Sequence, residues 1–350
     1  MKKPFLLPLL LFSFITFLFS SCQTLILGEP EANNPENNFE IFGDDFDRHY
    51  GLFTVRGWDW DNIYIVYRPQ VTHQTTDEGL WEINRQIIEY LDDSHTFIYW
   101  PGKAFFRGNS EEDERLEAEF SLPLIVENHL EIIDSSSREE YVYGSLTGRN
   151  IGYLRLGSNE LEDENFGDRL LRDLGHHDAI IIDLRNNTGD DDLVGADLAA
   201  RFSRREELVY TVQERNGPKH TDFAGKTEYF LRKESPVQFT KPVVVLTDHI
   251  TVNAAEVMLI YLKALPHVTQ IGTATSGDFS DTGMRRFLPN GWQYQYSIMK
   301  FLLPDGVTDL DGTGHVPDVE IRNSADDILA GNDPVLERAY IYLFEEFGIR

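Results

Sequence analysis

Several side chains of this 350-residue sequence have the types and positions that hydrolytic chemistry needs. Ser94 and His95 are adjacent in "LDDSHTFI", and an imidazole at its ordinary pKa suits general-base catalysis near neutral pH. Asn253 stands at the start of the apolar stretch "NAAEVMLIYLKAL". Its carboxamide nitrogen is delocalised into the carbonyl and gives no useful nucleophile, whereas a serine hydroxyl beside a base does.

Three hydroxyl groups could take over as nucleophile in place of Asn253. Thr251 is two residues upstream, and Ser276 and Ser280 are in the later loop "GTATSGDFSDT". Each could replace a missing nucleophile only if His95 comes within hydrogen-bond distance of it. All three stay open as alternatives.

The elements that must position these residues alternate between strands and helices after about Arg149. "NIGYLRL", "DAIIIDLR" and "KPVVVLTD" are predicted strands, and the last two are continuous apolar runs typical of strands buried on both faces. "ENFGDRLLRDLG", "DDLVGADLAARF" and "NAAEVMLIYLKAL" have helical patterns, the first ending at Gly175 and the third before Pro266. Repeated β-α units imply a mainly parallel sheet covered by helices, so the predicted fold class is α/β.

The region before this alternating part predicts a small helical domain and a short β segment. In "GLWEINRQIIEYLDD", Leu80, Ile83, Ile87 and Leu91 repeat at helical spacing, with Asp77 near the helix start. Alternation in "LEAEFSLPLIVENHLEIID" and "EEYVYGSL" favours short strands. The predicted units are a helical domain at 42–108, a short β segment at 109–148 and an α/β core at 149–350.

The N-terminus has the pattern of an export signal. Two lysines precede an apolar run, and two serines precede Cys22, the only cysteine of the chain. Pro8 and the way the run ends argue against a membrane-spanning helix. The position of Cys22 resembles a bacterial lipoprotein lipobox, so we predict a lipoprotein signal peptide at 1–22, with simple cleavage and release as the alternative. Residues 23–41, rich in Asn, Pro and Glu, predict a flexible tether.

The composition and the charge argue against several kinds of partner. The chain has 31 basic and 59 acidic residues and a formal net charge of -28, which repels nucleic-acid phosphates and anionic bilayer surfaces. It has no His-rich or Cys-rich metal signature, and the acidic loop "DLDGTGH" does not have the spacing of a calcium loop. We therefore predict no nucleic-acid partner, no cofactor or metal, and membrane contact only through the N-terminal lipid.

The order of the motifs resembles the tail-specific, or C-terminal processing, serine proteases. The resemblance is carried by "AIIIDLRNNTGDD", "KPVVVLTDHITVNAAEVML", "IGTATSGDF", "LPDGVTDLDGTGHVPDVEI" and the closing "DPVLERAYIYL". "FDRHYGLFTVRGWDWDNIYIVYRPQ" and "LDDSHTFI" look like the helical part of the branch that includes the tricorn protease core. The resemblance implies a Clp protease/crotonase-like core preceded by the helical domain, with no room for a PDZ domain in the short β segment.

The resemblance also assigns roles around the predicted helix start. The nucleophilic serine of the family lies three residues before a glutamate, here Glu256, so Asn253 takes its place. The resemblance also implies that Ala254 and Glu256 lie at the substrate and oxyanion site, where neighbouring amides, including that of Ala254, would stabilise an oxyanion together with the helix N-terminus. The lysine of a Ser-Lys dyad falls on Asp278, whose negative charge would oppose a developing alkoxide. Both ends of that dyad are therefore replaced.

The tricorn-like branch uses a histidine directly after a serine, helped by an acidic residue near the end of the core. Ser94 and His95 match that pair, and Asp311 in "DLDGTGHVPD" stands where the acidic residue would be. In the turn "RNNTGDDD", Gly189 is kept but Asp190 replaces a second glycine whose amide would point into the pocket. The acidic residues implied around one cleft are Asp190, Asp278, Asp281 and Asp311.

Two function classes follow from the resemblance. The first is a cell-envelope lipoprotein that does not cleave and instead holds extended peptides or protein tails in the former active-site cleft. The second is an active serine-type peptidase that uses an atypical nucleophile or a water activated by His95. Asn253 separates the two classes, because acyl-enzyme chemistry needs a nucleophile where this carboxamide stands.

Overall fold

The computed structural model describes residues 31–108, 116, 118–138, 140–158, 161, 163, 165–189, 191–233, 238–280, 283 and 285–350. Cys22, Asp190, Asp281 and the predicted signal peptide therefore lie outside the described residues. No helix formed by the described residues is both long and apolar enough to cross a membrane.

The N-terminal unit packs helices around an aromatic core. Its elements are helices α1 (Pro35–His49), α2 (Phe53–Arg56), α3 (Trp60–Tyr67) and α4 (Asp77–Leu91) and strands β1 (Phe97–Trp100) and β2 (Ala104–Arg107). Phe39, Phe42 and Phe46 of α1 are fully buried, because spacings of three and four residues put them on one helix face. The ring of Phe46 stacks on Trp60 with centroids 5.9 Å apart. The aromatic side chains thus hold the helices of this unit together.

Helix α1 begins inside the segment predicted to be a flexible tether. The side chain of Asn34 accepts a hydrogen bond from the Asn37 N–H at 2.9 Å, and Pro35 occupies the first turn. Residues 35–41 of the predicted tether are therefore helical, and the prediction was wrong for them. Its polar composition concealed an apolar face that packs against the rest of the unit.

The remaining chain forms a layered α/β core. Its helices are α5 (Leu122–His129), α6 (Phe166–Leu174), α7 (Asp192–Ala200), α8 (Ala254–Lys263), α9 (Ala325–Leu329) and α10 (Pro334–Phe347). Its strands are β3 (Leu130–Ser135), β4 (Tyr141–Leu146), β5 (Ile151–Leu156), β6 (Ala179–Asp183), β7 (Glu207–Glu214), β8 (Thr227–Leu231), β9 (Val243–Thr247), β10 (Val268–Gly272), β11 (Arg286–Phe287), β12 (Gln293–Gln295), β13 (Met299–Leu302) and β14 (Val319–Glu320).

The central sheet has seven strands in the order β14-β10-β9-β6-β5-β4-β3. Neighbours from β14 to β5 pair in parallel, and β5, β4 and β3 pair antiparallel. Helices α6, α7 and α8 cover one face with a large apolar cluster, and α5 and α10 cover the other. Parallel strands covered on both faces explain the continuous apolar runs of β6 and β9. The predicted α/β class with a mainly parallel sheet is confirmed.

Residues 109–148 differ from the predicted short β segment. Residues 122–129 form α5, with the Ser121 hydroxyl accepting a hydrogen bond from the Leu124 N–H at 3.3 Å and Pro123 in the first turn. The prediction of a strand there was wrong, because these start signals outweigh the alternation of apolar residues. The two strands that follow, β3 and β4, extend the core sheet and do not form a separate unit.

The two parts of the chain share a second sheet of order β11-β12-β1-β2. β1 comes from the N-terminal unit, and it pairs antiparallel with β12 of the core, with Phe97 opposite Gln295. The N–H of Gly51 also donates to the carbonyl of Ser297 at 2.8 Å. The N-terminal unit is therefore joined to the core by main-chain hydrogen bonds.

Candidate active-site cleft

Asn253 begins helix α8 in an unusual backbone conformation. Its φ of 57° and ψ of -125° lie outside the regions that side chains ordinarily allow. Such a conformation costs about 1–3 kcal/mol and is typical of functional sites. The backbone N–H of Asn253 donates to Oε2 of Glu256 at 3.2 Å, which helps to hold this turn. The side chain of Asn253 lines a cleft between the N-terminal unit and the core.

Glu256 is fully buried beneath this turn and organises the loop after β10. Its Oε1 accepts hydrogen bonds from the Thr275 hydroxyl at 2.5 Å and the Gly277 N–H at 2.7 Å, and its Oε2 accepts one from the Asp278 N–H at 2.8 Å. The resemblance implied a contact with substrate, but burial directs Glu256 towards this loop instead. It positions Asp278 relative to the start of α8, where Asn253 stands.

Opposing effects act on the charge of Glu256. Burial raises its pKa to about 7, while its hydrogen-bond donors favour the ionised form. The hydroxyl of Thr275 already accepts a hydrogen bond from the His315 N–H at 2.8 Å, so its own proton points to Glu256. Three of the four groups that contact the oxygens of Glu256 are backbone N–H groups, which cannot accept a hydrogen bond from a protonated carboxyl. The geometry therefore favours the carboxylate.

His95 contacts the carboxylate of Asp278. The distance between Nδ1 of His95 and Oδ1 of Asp278 is 2.6 Å, and the backbone N–H of His95 donates to Oδ1 of Asp93 at 2.9 Å. Burial alone would lower the pKa of His95, but the hydrogen bond to Asp278 and its charge raise it to about 9. An imidazole with this pKa is mainly protonated at neutral pH, which makes it a poor general base there.

Asp311 pairs with a different residue from the one that the resemblance implied. Its Oδ1 accepts a hydrogen bond from Nε of Arg56 at 2.7 Å, and Nη2 of Arg56 lies 2.6 Å from the same oxygen. Its Oδ2 accepts backbone hydrogen bonds from Phe279 at 3.3 Å and Ser280 at 3.1 Å. The carboxylate beside His95 is thus that of Asp278, the residue at the predicted lysine position.

Gly189 packs closely against the start of α8. Its φ is 84°, and a Cβ atom on it would lie 2.6 Å from the backbone nitrogen of Ala254. The Gly189 N–H donates to Oδ1 of Asn187 at 2.9 Å, so this amide is used inside its own turn. The structure therefore places Gly189 and Ala254 together, as an oxyanion site requires, but Gly189 acts through close packing. Asp190 lies outside the described residues.

The hydroxyl groups near Asn253 fall into two groups. The Thr251 hydroxyl is fully buried and donates to the carbonyl of Leu184 at 2.9 Å, and the Ser280 hydroxyl donates to a carbonyl of β13 at 2.6 Å. Neither group is directed at the cleft. Ser94 and Ser276 are half-buried and line the cleft, so they are the serine hydroxyls that a ligand could reach there.

The cleft has a volume of about 660 Å³. One wall comes from the N-terminal unit and contains His95 together with the aromatic residues Phe105 and Phe106 of β2. The other wall comes from the core and contains Asn253 and Asp278. The side chain of Phe105 remains 55% exposed, so the cleft offers apolar surface next to polar groups.

Arg56, Asp93 and Thr275 are site residues that the sequence reasoning missed. Asp93 lies two residues before His95, and the local turn in which a carboxylate accepts an N–H two residues on was a usable signal. Arg56 gave no such signal, because its partner Asp311 is 255 residues away in the sequence.

Comparisons with known proteins agree with this fold. Residues 150–321 match the profile of peptidase family S41. A protein from Parabacteroides merdae that is named as a peptidase has a TM-score of 0.79 and 25% identity, over 89% of this chain and 97% of that chain. The mature form of CPAF has a TM-score of 0.67 and 11% identity, over 91% of this chain and 99% of that one. A lipoprotein from Streptococcus agalactiae has a TM-score of 0.52 and 15% identity, over 90% and 98% of the two chains.

The last two similarities concern the fold alone, whereas the profile match covers the segments that carry Gly189, Asn253, Glu256 and Asp278. The seven-stranded sheet, the turn that leads into α8 and the cleft beside it occur together in one chain. Residues 150–321 form a peptidase family S41 domain.

Proposed function

We propose that this protein is a cell-envelope lipoprotein that binds extended peptides or protein tails in its cleft and does not cleave them through an acyl-enzyme. The observation that carries the proposal is Asn253 at the head of α8, in the cleft and in a strained backbone conformation. The turn keeps the backbone conformation of a functional site, but it presents a carboxamide where acyl transfer needs a nucleophile.

The surroundings of Asn253 support the absence of acyl-enzyme chemistry. The hydroxyls of Thr251 and Ser280 donate to backbone carbonyls, so neither is available to a base. The Gly189 N–H is used within its own turn and is not free to bind an oxyanion. Asp278 lines the same cleft as Asn253, and the negative charge of its carboxylate would oppose an oxyanion formed there.

The shape and the lining of the cleft support peptide binding. A volume of about 660 Å³ lies in the usual range for ligand sites, which are apolar with a few polar groups. Phe105 and Phe106 supply apolar surface for side chains, and Ser276, Gln295 and Thr188 supply polar groups for a peptide backbone. A flexible tail could enter such a cleft more readily than a folded domain.

The proposed location rests on the N-terminal sequence. The apolar run, the two serines and Cys22 form the pattern of a lipoprotein signal, and Cys22 would carry the lipid. Mass spectrometry of the mature protein tests this directly, since it should begin at Cys22 with added acyl mass. A mature N-terminus without Cys22 would contradict the anchoring.

Cleavage is tested with an unfolded protein substrate and a fluorophosphonate probe that reacts with activated serines. The wild-type protein should show neither turnover nor labelling, because a carboxamide occupies the nucleophile position and no hydrogen bond from His95 to a hydroxyl occurs among the described residues. The matched variants are Asn253→Ser, which should react weakly, and Asn253→Ala, which should stay unreactive. Labelling of Ser94 or Ser276 in the wild type would contradict the proposal and favour an active peptidase with an atypical nucleophile.

Peptide binding is tested by fluorescence anisotropy with labelled, unstructured peptides. Phe105→Asp puts a charge on the apolar wall of the cleft and should weaken binding about tenfold or more, since a buried aromatic anchor contributes more than about 1 kcal/mol. Phe287→Asp is the matched control, because Phe287 is 64% exposed and is not part of the cleft lining. Equal effects of the two changes would place the peptide elsewhere.

A further inference from the structure

Three side chains of metal-ligand type meet where the N-terminal unit contacts the core. Asp93 and His95 follow α4, and Asp278 lies in the loop after β10. One ligand atom from each residue lies within 4.8 Å of the other two. Two carboxylates and an imidazole form a mixed oxygen and nitrogen set, which zinc and similar divalent ions accept.

The carboxylate of Asp278 has an oxygen that the surrounding protein leaves unpaired. Asp278 is only 2% exposed, and while its Oδ1 contacts His95, its Oδ2 has no hydrogen-bond partner among the described residues. Buried polar atoms of native proteins are nearly always satisfied, so unpaired ones need an explanation.

The charges around these atoms do not balance. Three carboxylates, those of Asp93, Asp278 and Asp311, influence one another here, and the guanidinium of Arg56 is the fixed positive charge that acts on them. Arg56 is occupied by Asp311 and by backbone carbonyls, including that of Asp92. The protonated His95 offsets one of the two remaining negative charges, and a divalent cation that displaces the His95 proton would compensate both.

We propose that Asp93, His95 and Asp278 bind one divalent transition-metal ion of the Zn²⁺ class. Ligand atoms about 2.0–2.2 Å from a tetrahedral ion lie about 3.3–3.6 Å apart, so side-chain rotations would have to separate Nδ1 of His95 and Oδ1 of Asp278, now 2.6 Å apart, and set the Asp93 oxygen at a similar distance. The ion would take the place of the proton between Nδ1 of His95 and Oδ1 of Asp278. It would join the N-terminal unit to the core.

The hydrogen bonds around Asp93 are those of an oriented metal ligand. The Thr96 hydroxyl donates to Oδ2 of Asp93 at 2.8 Å, and the His95 N–H donates to Oδ1 at 2.9 Å. Such contacts hold a ligating carboxylate in place and usually change metal affinity by about 10–100-fold when they are removed. This inference does not depend on the proposed peptide binding, which fails or holds separately.

Isothermal titration calorimetry of the purified protein with Zn²⁺, after treatment with a chelator, tests the site. The wild type should bind one ion per chain, and Asp278→Asn and His95→Ala should weaken binding about 100-fold or more, as expected for loss of a ligand. Thr96→Val should weaken it about tenfold, because it removes only the contact that orients Asp93. Thermal unfolding should show that Zn²⁺ raises the melting temperature of the wild type and not that of Asp278→Asn.

His220→Ala is the matched control. His220 forms a similar pair with Asp47, with Nε2 and Oδ1 2.7 Å apart, but this pair belongs to no group of three ligands among the residues described. The control should bind Zn²⁺ like the wild type. The proposal is overturned if the wild type binds no Zn²⁺, or if Asp278→Asn and Thr96→Val, both folded by circular dichroism, bind it as tightly as the wild type.

Discussion

Replacing Glu256 with glutamine should destabilise the protein by about 3 kcal/mol and weaken the binding cleft. The carboxylate of Glu256 accepts hydrogen bonds from Asn253, Thr275, Gly277 and Asp278. Glutamine keeps one acceptor oxygen and replaces the other with an NH₂ group, which is itself a donor. In either orientation of the amide, two buried donors would face this group and lose their acceptor.

The magnitude follows from the two hydrogen bonds that the substitution removes. A hydrogen bond to a charged group contributes about 1.5–3 kcal/mol, so the loss of two corresponds to about 3–6 kcal/mol. Removal of a buried charge offsets part of this loss, because burial disfavours the carboxylate. Because a chain of 350 residues unfolds with an entropy of about 0.7 kcal/mol/K, a net loss of about 3 kcal/mol should lower the melting temperature by roughly 4–5 °C.

Urea and thermal unfolding followed by circular dichroism provide the assay. The matched control is Glu346→Gln at an exposed position of α10, which should change the free energy of unfolding by less than about 0.5 kcal/mol. If Glu256→Gln melts within about 2 °C of the wild type, the hydrogen bonds of the carboxylate do not organise this loop. The assignment of Glu256 as the residue that positions Asp278 would then be wrong.

Further predictions concern residues around the same turn. Burial lowers the pKa of His315 to about 3, so this side chain stays neutral in the folded protein but becomes protonated in the unfolded chain below about pH 6.5. The free energy of unfolding should therefore fall as the pH drops, and His315 should account for about 3 kcal/mol of that fall by pH 4. Urea unfolding across this pH range should show that His315→Gln lacks this part of the fall. Gly189→Ala should lower the free energy of unfolding by about 3 kcal/mol, because the added Cβ would lie 2.6 Å from a backbone nitrogen. Gly148→Ala should lower it by only about 1 kcal/mol in the same assay, because Gly148 has a φ of 69° but open space around it. Arg56→Met should lower the free energy of unfolding by about 3–5 kcal/mol, because it leaves the carboxylate of Asp311 buried without its positively charged partner. Urea unfolding near pH 8 measures this loss, and a loss below about 1 kcal/mol would mean that the ion pair adds nothing to stability.

Much of the core could be predicted from the sequence because its signals are local. The apolar runs of β6 and β9 and the helical pattern after Asn253 each lie within a few consecutive residues. The start of α1 was missed although its signals were local, since Asn34 and Pro35 stand in a segment whose composition resembles a linker.

The partner of His95 could not be predicted in the same way. Asp278 and Asp311 are both acidic residues of the core, and the sequence places neither in contact with the histidine. The structure decides between them through Arg56, which binds Asp311 and leaves Asp278 to His95. This choice depends on contacts that span 183 and 255 residues, so local patterns carry no information about it.

A chain cut after residue 108 would not release a self-sufficient helical domain. β1 obtains one of its two pairing partners from β12, some two hundred residues later in the chain, and the Gly51 N–H depends on the carbonyl of Ser297. A hinge motion that separated the two walls of the cleft would therefore break main-chain hydrogen bonds between the strands. A ligand must therefore enter a cleft of fixed width. This favours unstructured chain termini over folded domains as ligands.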